Sequence, residues 1–187
     1  LMLATDMHDR IMAYIRNNSG FEPKRAYLGM SHLSECPADL YLAFQEGNTA
    51  TEASHRMAYL GYAIEYIEKD ILVKTGVLRS MGREIVAEFD PRVRGHIDGE
   101  TVDGDLVEIK SVSKVKYDQV EATGKALRSH FGQVQAYMHF GGYKHAEIVY
   151  VCREDFRHYV VHVPYVQGVG EQIEAKARRV LAARRRQ

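Results

Sequence analysis

The residues best suited to chemistry lie in two short segments, Gly95-His96-Ile97-Asp98 and Val107-Glu108-Ile109-Lys110. Side chains alternate across a strand. With Val107 and Ile109 turned to the core, Leu106, Glu108 and Lys110 share the other face. The same alternation sets Val93 and Ile97 inward and leaves Arg94, His96 and Asp98 opposite. A three-residue turn, Val102-Asp103-Gly104 with Gly104 at positive φ, places Asp98 across from Glu108. A tight Asp103-Gly104 turn would shift that register by one. In the first register two carboxylates face each other with Cβ atoms about 4.5–5.5 Å apart, where like charges repel. They need a cation, which is either Lys110 or a divalent ion. Two carboxylates with carbonyl and water oxygens suit Mg²⁺. Such an ion polarises a phosphoryl oxygen and makes a bound water acidic enough to attack. An ammonium beside it stabilises hydroxide and the charge of the transition state. This is the chemistry of phosphodiester hydrolysis. The plainer alternative is a solvated hairpin face whose surface ion pair is worth little.

The elements that must carry these residues follow from periodicity. Met7, Ile11, Tyr14 and Ile15 fall at helical spacing before the stop at Asn17-Asn18-Ser19-Gly20. A second short helix carries Leu33, Leu40 and Phe44, with Pro37 tolerated near its start. Met57, Leu60, Ile64, Ile67 and Ile71 form an apolar stripe on a longer helix, with Thr51 as N-cap and Gly76 as end. Past Gly82 the period becomes two, predicting strands over 83–89, 92–99 and 105–111. A helix over 126–140 ends at Gly141-Gly142, strands follow over 146–152 and 158–163, and a last helix carries Val169, Ile173, Ala177 and Val180. The order predicts an α/β or α+β domain around a mixed sheet. We expect one domain over 1–187: a mainly helical part over 1–76, a sheet core over 82–163, and a basic helix over 168–187.

Composition removes several classes. In 187 residues, 25 basic and 25 acidic side chains cancel, which argues against a protein that coats nucleic acid by bulk charge. No run approaches the roughly 18 apolar residues of a membrane span, and no secretory signal opens the chain. Two cysteines, Cys36 and Cys152, can build neither a disulfide framework nor a four-cysteine zinc or iron–sulfur site. Two reduced thiols in a soluble intracellular protein are the expectation. His158 and His162 would share a strand face roughly 13 Å apart, too far for one metal. Ser111 and Ser113 lack a nucleophile elbow, and no glycine-rich loop precedes a helix, so ATP use is not expected.

Gly95-x-x-Asp98, Glu108-Ile109-Lys110 and Gln133-Val134-Gln135-Ala136-Tyr137, in that order, resemble the PD-(D/E)XK nuclease superfamily, in particular its RecB-like branch. The resemblance runs from about Ser31 to Cys152. It implies a restriction-endonuclease-like core with a mixed sheet flanked by helices. It also implies a Mg²⁺- or Mn²⁺-dependent deoxyribonuclease holding one or two ions and no nucleotide cofactor. By resemblance Asp98, Glu108 and the Ile109 carbonyl hold the metal, Lys110 assists the attacking water, and Gln133 and Tyr137 border the active site and the DNA backbone. An acidic residue of the long helix completes the metal site. Glu65, aligned with the small residues Ala58 and Gly61, is preferred, and Glu68 one turn on competes. Ser31-x-Leu33-x-x-Cys36-Pro37 and Tyr41 resemble the branch's N-terminal helical motif. The three further cysteines that hold an iron–sulfur cluster in some relatives are missing, which makes Cys36 a buried small apolar residue by expectation.

The segment after Glu174 holds Lys176, Arg178, Arg179, Arg184, Arg185 and Arg186 and no acid. It reads as a phosphate-binding strip or as basic residues complementing a helix C-terminus. The expected partner is linear duplex or single-stranded DNA, without membrane. A homo-oligomer or a recombination or single-strand-binding protein would fit beside it. The expected setting is the cytoplasm of a bacterial or phage-infected cell. Exonuclease action in recombination, repair or phage DNA metabolism is preferred on the branch's account. The rivals are a structure-specific or restriction-like endonuclease and a catalytically silent DNA-binding or assembly module.

Overall fold

The computed structural model describes residues 4–22, 24–47 and 49–183. The first half of the chain holds α1 (Ala4–Asn17), β1 (Leu28–Gly29), a 3-10 turn (Met30–His32), α2 (Pro37–Glu46), α3 (Glu52–Lys74), β2 (Leu78–Met81), β3 (Glu84–Val86) and β4 (Val93–His96). The second half holds β5 (Gly99–Thr101), β6 (Leu106–Val112), α4 (Lys114–Thr123), α5 (Arg128–Gly141), β7 (His145–Cys152), β8 (His158–Pro164) and α6 (Gln167–Ala182). Five strands form a sheet in the order β2-β5-β6-β7-β8, and three form a smaller one, β1-β4-β3. β6 and β7 run parallel, while β5 and β8 flank them antiparallel. Helices cover both faces, the α/β arrangement of a restriction-endonuclease-like core.

β6 lies at the centre of the larger sheet, so both of its faces are covered. Val107 and Ile109 pack with Ile64 of α3 and with Val149 and Val151 of β7. Leu106 and Val112 join the main core with Tyr117, Val134, Ile148, Tyr150 and Ile173. The expectation of one core face and one polar face is therefore corrected: Glu108 is buried too. A central strand between two helical layers does not show the alternation of a half-exposed one.

Four further departures accompany this one. The strand expected over 92–99 is divided between two sheets, with β4 in the smaller and β5 in the larger. Ile97 and Asp98 form the joint. The stripe on α3 is only in part its buried face. Ile64 of the stripe is buried, but Met57, Leu60 and Ile67 are exposed, and Glu68 is buried beside Ile64. Thr51 does cap α3, its hydroxyl oxygen accepting from the Ser54 amide at 3.1 Å. β2 and α4 went unread, because each buries too few residues (Leu78 in the first, Tyr117 and Val120 in the second) to impose a period. Cys36, expected in the interior, is exposed at the N-cap of α2, whereas Cys152 is buried.

Candidate active site

The β5–β6 connection has the three-residue form. Gly104 takes φ +92°, and the Thr101 amide donates to the Asp105 carbonyl at 2.9 Å. The ladder pairs Glu100 with Leu106 and Gly99 with Val107. One step further along the same register Asp98 meets Glu108. The Asp98 carboxylate leans onto β6 and accepts the Ile109 amide at 2.7 Å through Oδ2.

α5 approaches Glu108 from one side. Gln133 and Tyr137 lie one turn apart and so share a face. Gln133 Nε2 donates to Glu108 Oε1 at 2.6 Å and lies 3.3 Å from the Tyr137 hydroxyl. Both side chains are buried, and their hydrogen bonds run to Glu108 and to each other. Gly95 makes this possible. A Cβ there would stand 2.7 Å from Tyr137 Cε1 and 3.0 Å from Met30 Cβ, so the glycine of the Gly-x-x-Asp strand admits the tyrosine of α5. Lys110 Nζ reaches Glu108 Oε1 at 2.6 Å. The other carboxylate oxygen, Glu108 Oε2, is buried with no partner.

α3 approaches from the opposite side with Glu65 and Lys69. Lys69 Nζ donates to Glu65 Oε1 at 2.6 Å and stands 3.1 Å from Asp98 Oδ1. Lys69 was missed in the sequence, although its i+4 spacing from Glu65 puts both on one helix face. Glu68 points elsewhere and binds His158 of β8, 2.8 Å away. His130 was also missed. Three residues before Gln133 on α5, its Nδ1 lies 3.0 Å from the Tyr150 hydroxyl.

The electrostatics are those of three carboxylates taken partly out of water. Burial pushes Glu108 up to about 7, with Lys110 opposing and the charge of Asp98 adding. Burial and Asp98 also raise Glu65. For both lysines burial works downward, but the carboxylates win: Glu108, Asp98 and Glu65 raise Lys110, and Asp98 and Glu65 raise Lys69. Burial, helped by Lys110 and Lys116, drops His130 to about 3 and keeps it neutral. Burial and Glu108 raise Tyr137, so its hydroxyl keeps its proton.

Among the described residues no three histidine, cysteine or acidic side chains group into a metal site by themselves. The ammonium groups of Lys69 and Lys110 lie among the three acids. The donor chemistry nonetheless fits a hard cation. Asp98 and Glu108 supply anionic oxygen, and the unpartnered Glu108 Oε2 is a buried lone-pair site awaiting a proton or an ion.

Other expected residues lie apart from this cluster. Arg178 is bonded to Glu174 of its own helix at 2.7 Å and lies over the Phe89 ring. Arg179 is exposed, and Arg184, Arg185 and Arg186 fall outside the described residues. Lys176 ties α6 to the 3-10 turn region through the Leu33 and Glu35 carbonyls. His158 and His162 do share a strand face, each held by its own carboxylate, Glu68 and Glu147. No described helix is long and apolar enough to cross a membrane.

No protein-family model matches the sequence. No curated protein matches it either. Solved structures do match. The chain is similar to an alkaline exonuclease, LHK-Exo, from Laribacter hongkongensis, with TM-score 0.67 at 17% identity over 84% of this chain and 87% of that one. The same exonuclease in complex with dAMP gives TM-score 0.66 at 17% identity. The crystal structure of SSO0001 gives TM-score 0.60 at 15% identity over 98% of this chain and 89% of that one. At these identities the likeness is one of fold.

Proposed function

We propose that this chain is a divalent-metal-dependent DNA nuclease hydrolysing phosphodiester bonds, acting as an exonuclease on DNA ends. The observation that carries the reading is the juxtaposition of Asp98 and Glu108 across adjacent strands, with Lys110 against one oxygen of Glu108 and nothing against the other. A fold shared with an alkaline exonuclease supports it.

In this reading Asp98, Glu108 and the Ile109 carbonyl would hold Mg²⁺ or Mn²⁺, with Glu65 as a third carboxylate from α3. The chemistry such an ion would supply is polarisation of the phosphoryl oxygen and acidification of a water. The chain does the rest. The Ile109 amide fixes Asp98, and Gln133 fixes Glu108, so both carboxylates are set before substrate arrives. The Lys110 ammonium lies at the edge of the pair, where it orients the attacking water and offsets charge gathering on the phosphoryl oxygens. His130, held neutral, adds no competing positive charge beside Lys110. The buried Gln133–Tyr137 pair keeps bulk water from Glu108.

The test is a time course on end-labelled linear duplex, single strands and covalently closed circles, with Mg²⁺, Mn²⁺ or EDTA. Loss of ends from linear DNA, intact circles and a silent EDTA control are expected. Asp98→Asn and Lys110→Met should each lower the rate by about 10²–10⁴-fold. Undiminished cleavage by both variants would exclude the hydrolytic role. Cutting of closed circles would replace exonuclease action with internal cleavage.

A further inference from the structure

Lys69 has no part in the metal chemistry described above, yet it sits among its ligands. Its ammonium touches Glu65 Oε1 at 2.6 Å and Asp98 Oδ1 at 3.1 Å. Those are two of the oxygens that would hold any ion between α3 and the joint that carries Asp98. On the other side of the cluster Glu108 keeps one oxygen free. The two halves of the acidic cluster thus differ: Lys69 is bonded to both acids of the Glu65–Asp98 half, whereas Lys110 is bonded to one oxygen of Glu108 alone, and Glu108 Oε2 is buried with no partner.

We propose that Lys69 takes the place of one divalent ion, filling the cation position shared by Glu65 and Asp98 and leaving a single-ion site between Asp98 and Glu108. This rests on the reading of Asp98 and Glu108 as ion ligands and adds the stoichiometry to it. Charge points the same way. With Glu65, Asp98 and Glu108 all ionised, three carboxylates against two ammonium groups leave one net negative charge, enough to attract one divalent ion, whereas a second would enter a site already positive. Glu65 and Lys69 are one turn apart on a 23-residue helix, so the donor is always presented to its acceptor. An exit is poorly provided for. The hollow beside Lys69 is lined by Tyr66, Asp70, Val73, Met81 and Gly82, and its one carboxylate, Asp70, is already bonded to Lys74 at 2.7 Å. In this arrangement Glu65, given above as a third carboxylate for the ion, holds Lys69 instead and acts on Asp98 as a positioning residue.

The experiment is a Mn²⁺ titration of the full chain without DNA, with free Mn²⁺ followed by electron paramagnetic resonance and heat by calorimetry. The wild type should bind one Mn²⁺. Lys69→Met should open the second position and bind two, or bind its first at least tenfold more tightly. Lys69→Gln, which keeps a donor but no charge, should move the same way. Glu65→Gln added to Lys69→Met should return the count to one. Two ions of similar affinity in the wild type overturn the proposal, and that measurement does not depend on any variant folding. Unchanged count and affinity in both Lys69 variants overturn it as well. No Mn²⁺ bound to the wild type refutes the metal reading itself and this proposal with it, while a two-ion wild type refutes only this one.

Discussion

Glu108 should make the metal-free protein less stable as pH rises, and Glu108→Gln should remove that dependence. Burial raises the carboxyl from 4.5 to about 7 in the folded chain. The folded state therefore holds this proton more tightly than the unfolded chain. Its contribution to stability is fully present below pH 4.5, is lost as pH rises through about 7, and is constant above. A shift of that size corresponds to about 3 kcal/mol at about 1.4 kcal/mol per unit. Below about pH 7 the folded chain holds Glu108 neutral, so Gln resembles it closely. Above, the variant lacks the charged partner of Lys110, whose opposing pull is already contained in the value of about 7. Glu65, raised in the same direction, is present in both and largely cancels. Urea unfolding in EDTA from pH 5 to pH 8 should show the variant gaining about 2–3 kcal/mol on the wild type across the range, part of the loss lying below pH 5. In melting temperature the gain is about 4–12 °C for a chain of this size. Millimolar Mn²⁺ at pH 8 should then stabilise the wild type and leave the variant unmoved, since an ion that binds only the folded state stabilises it by mass action. A difference that stays constant from pH 5 to pH 8 would refute the claim that Glu108 is a desolvated carboxylate poised to accept a cation.

Gly95→Ala drives a methyl group to 2.7 Å from the Tyr137 ring. It should cost about 1–3 kcal/mol in thermal unfolding and lower kcat by loosening Gln133 from Glu108; an unchanged melting temperature would mean that Tyr137 has room to move. Glu68→Gln tests the competing acid of α3. It should cost about 1–3 kcal/mol by disturbing the bond to His158 and leave Mn²⁺ affinity as it was, and a loss of Mn²⁺ binding would make Glu68 the ligand that α3 supplies.

Much of this site was written locally in the sequence. Strand alternation put Glu108 and Lys110 on one side, Gly104 set the turn, and the turn set Asp98 beside Glu108. Helical spacing likewise put Gln133 and Tyr137 on one face. These are short-range consequences of backbone geometry, and a linear reading can follow them. The placing of long helices could be read as well, through the Thr51 cap and the glycines that end α3 and α5.

What faces what was decided only in three dimensions. Nothing along the chain says that β6 would be covered on both sides, that β4 and β5 would part into different sheets at Asp98, or that α3 would turn Glu68 inward with Ile64 and leave Met57, Leu60 and Ile67 outside. Those outcomes depend on which surfaces, far apart in sequence, find each other and exclude water. A stripe of apolar residues states a preference to be buried, but the partner surface settles which residues are. The unpaired oxygen of Glu108 and the ammonium of Lys69 between two acids are products of that packing. Charge density in a site is a property of the space between elements, which no single element encodes.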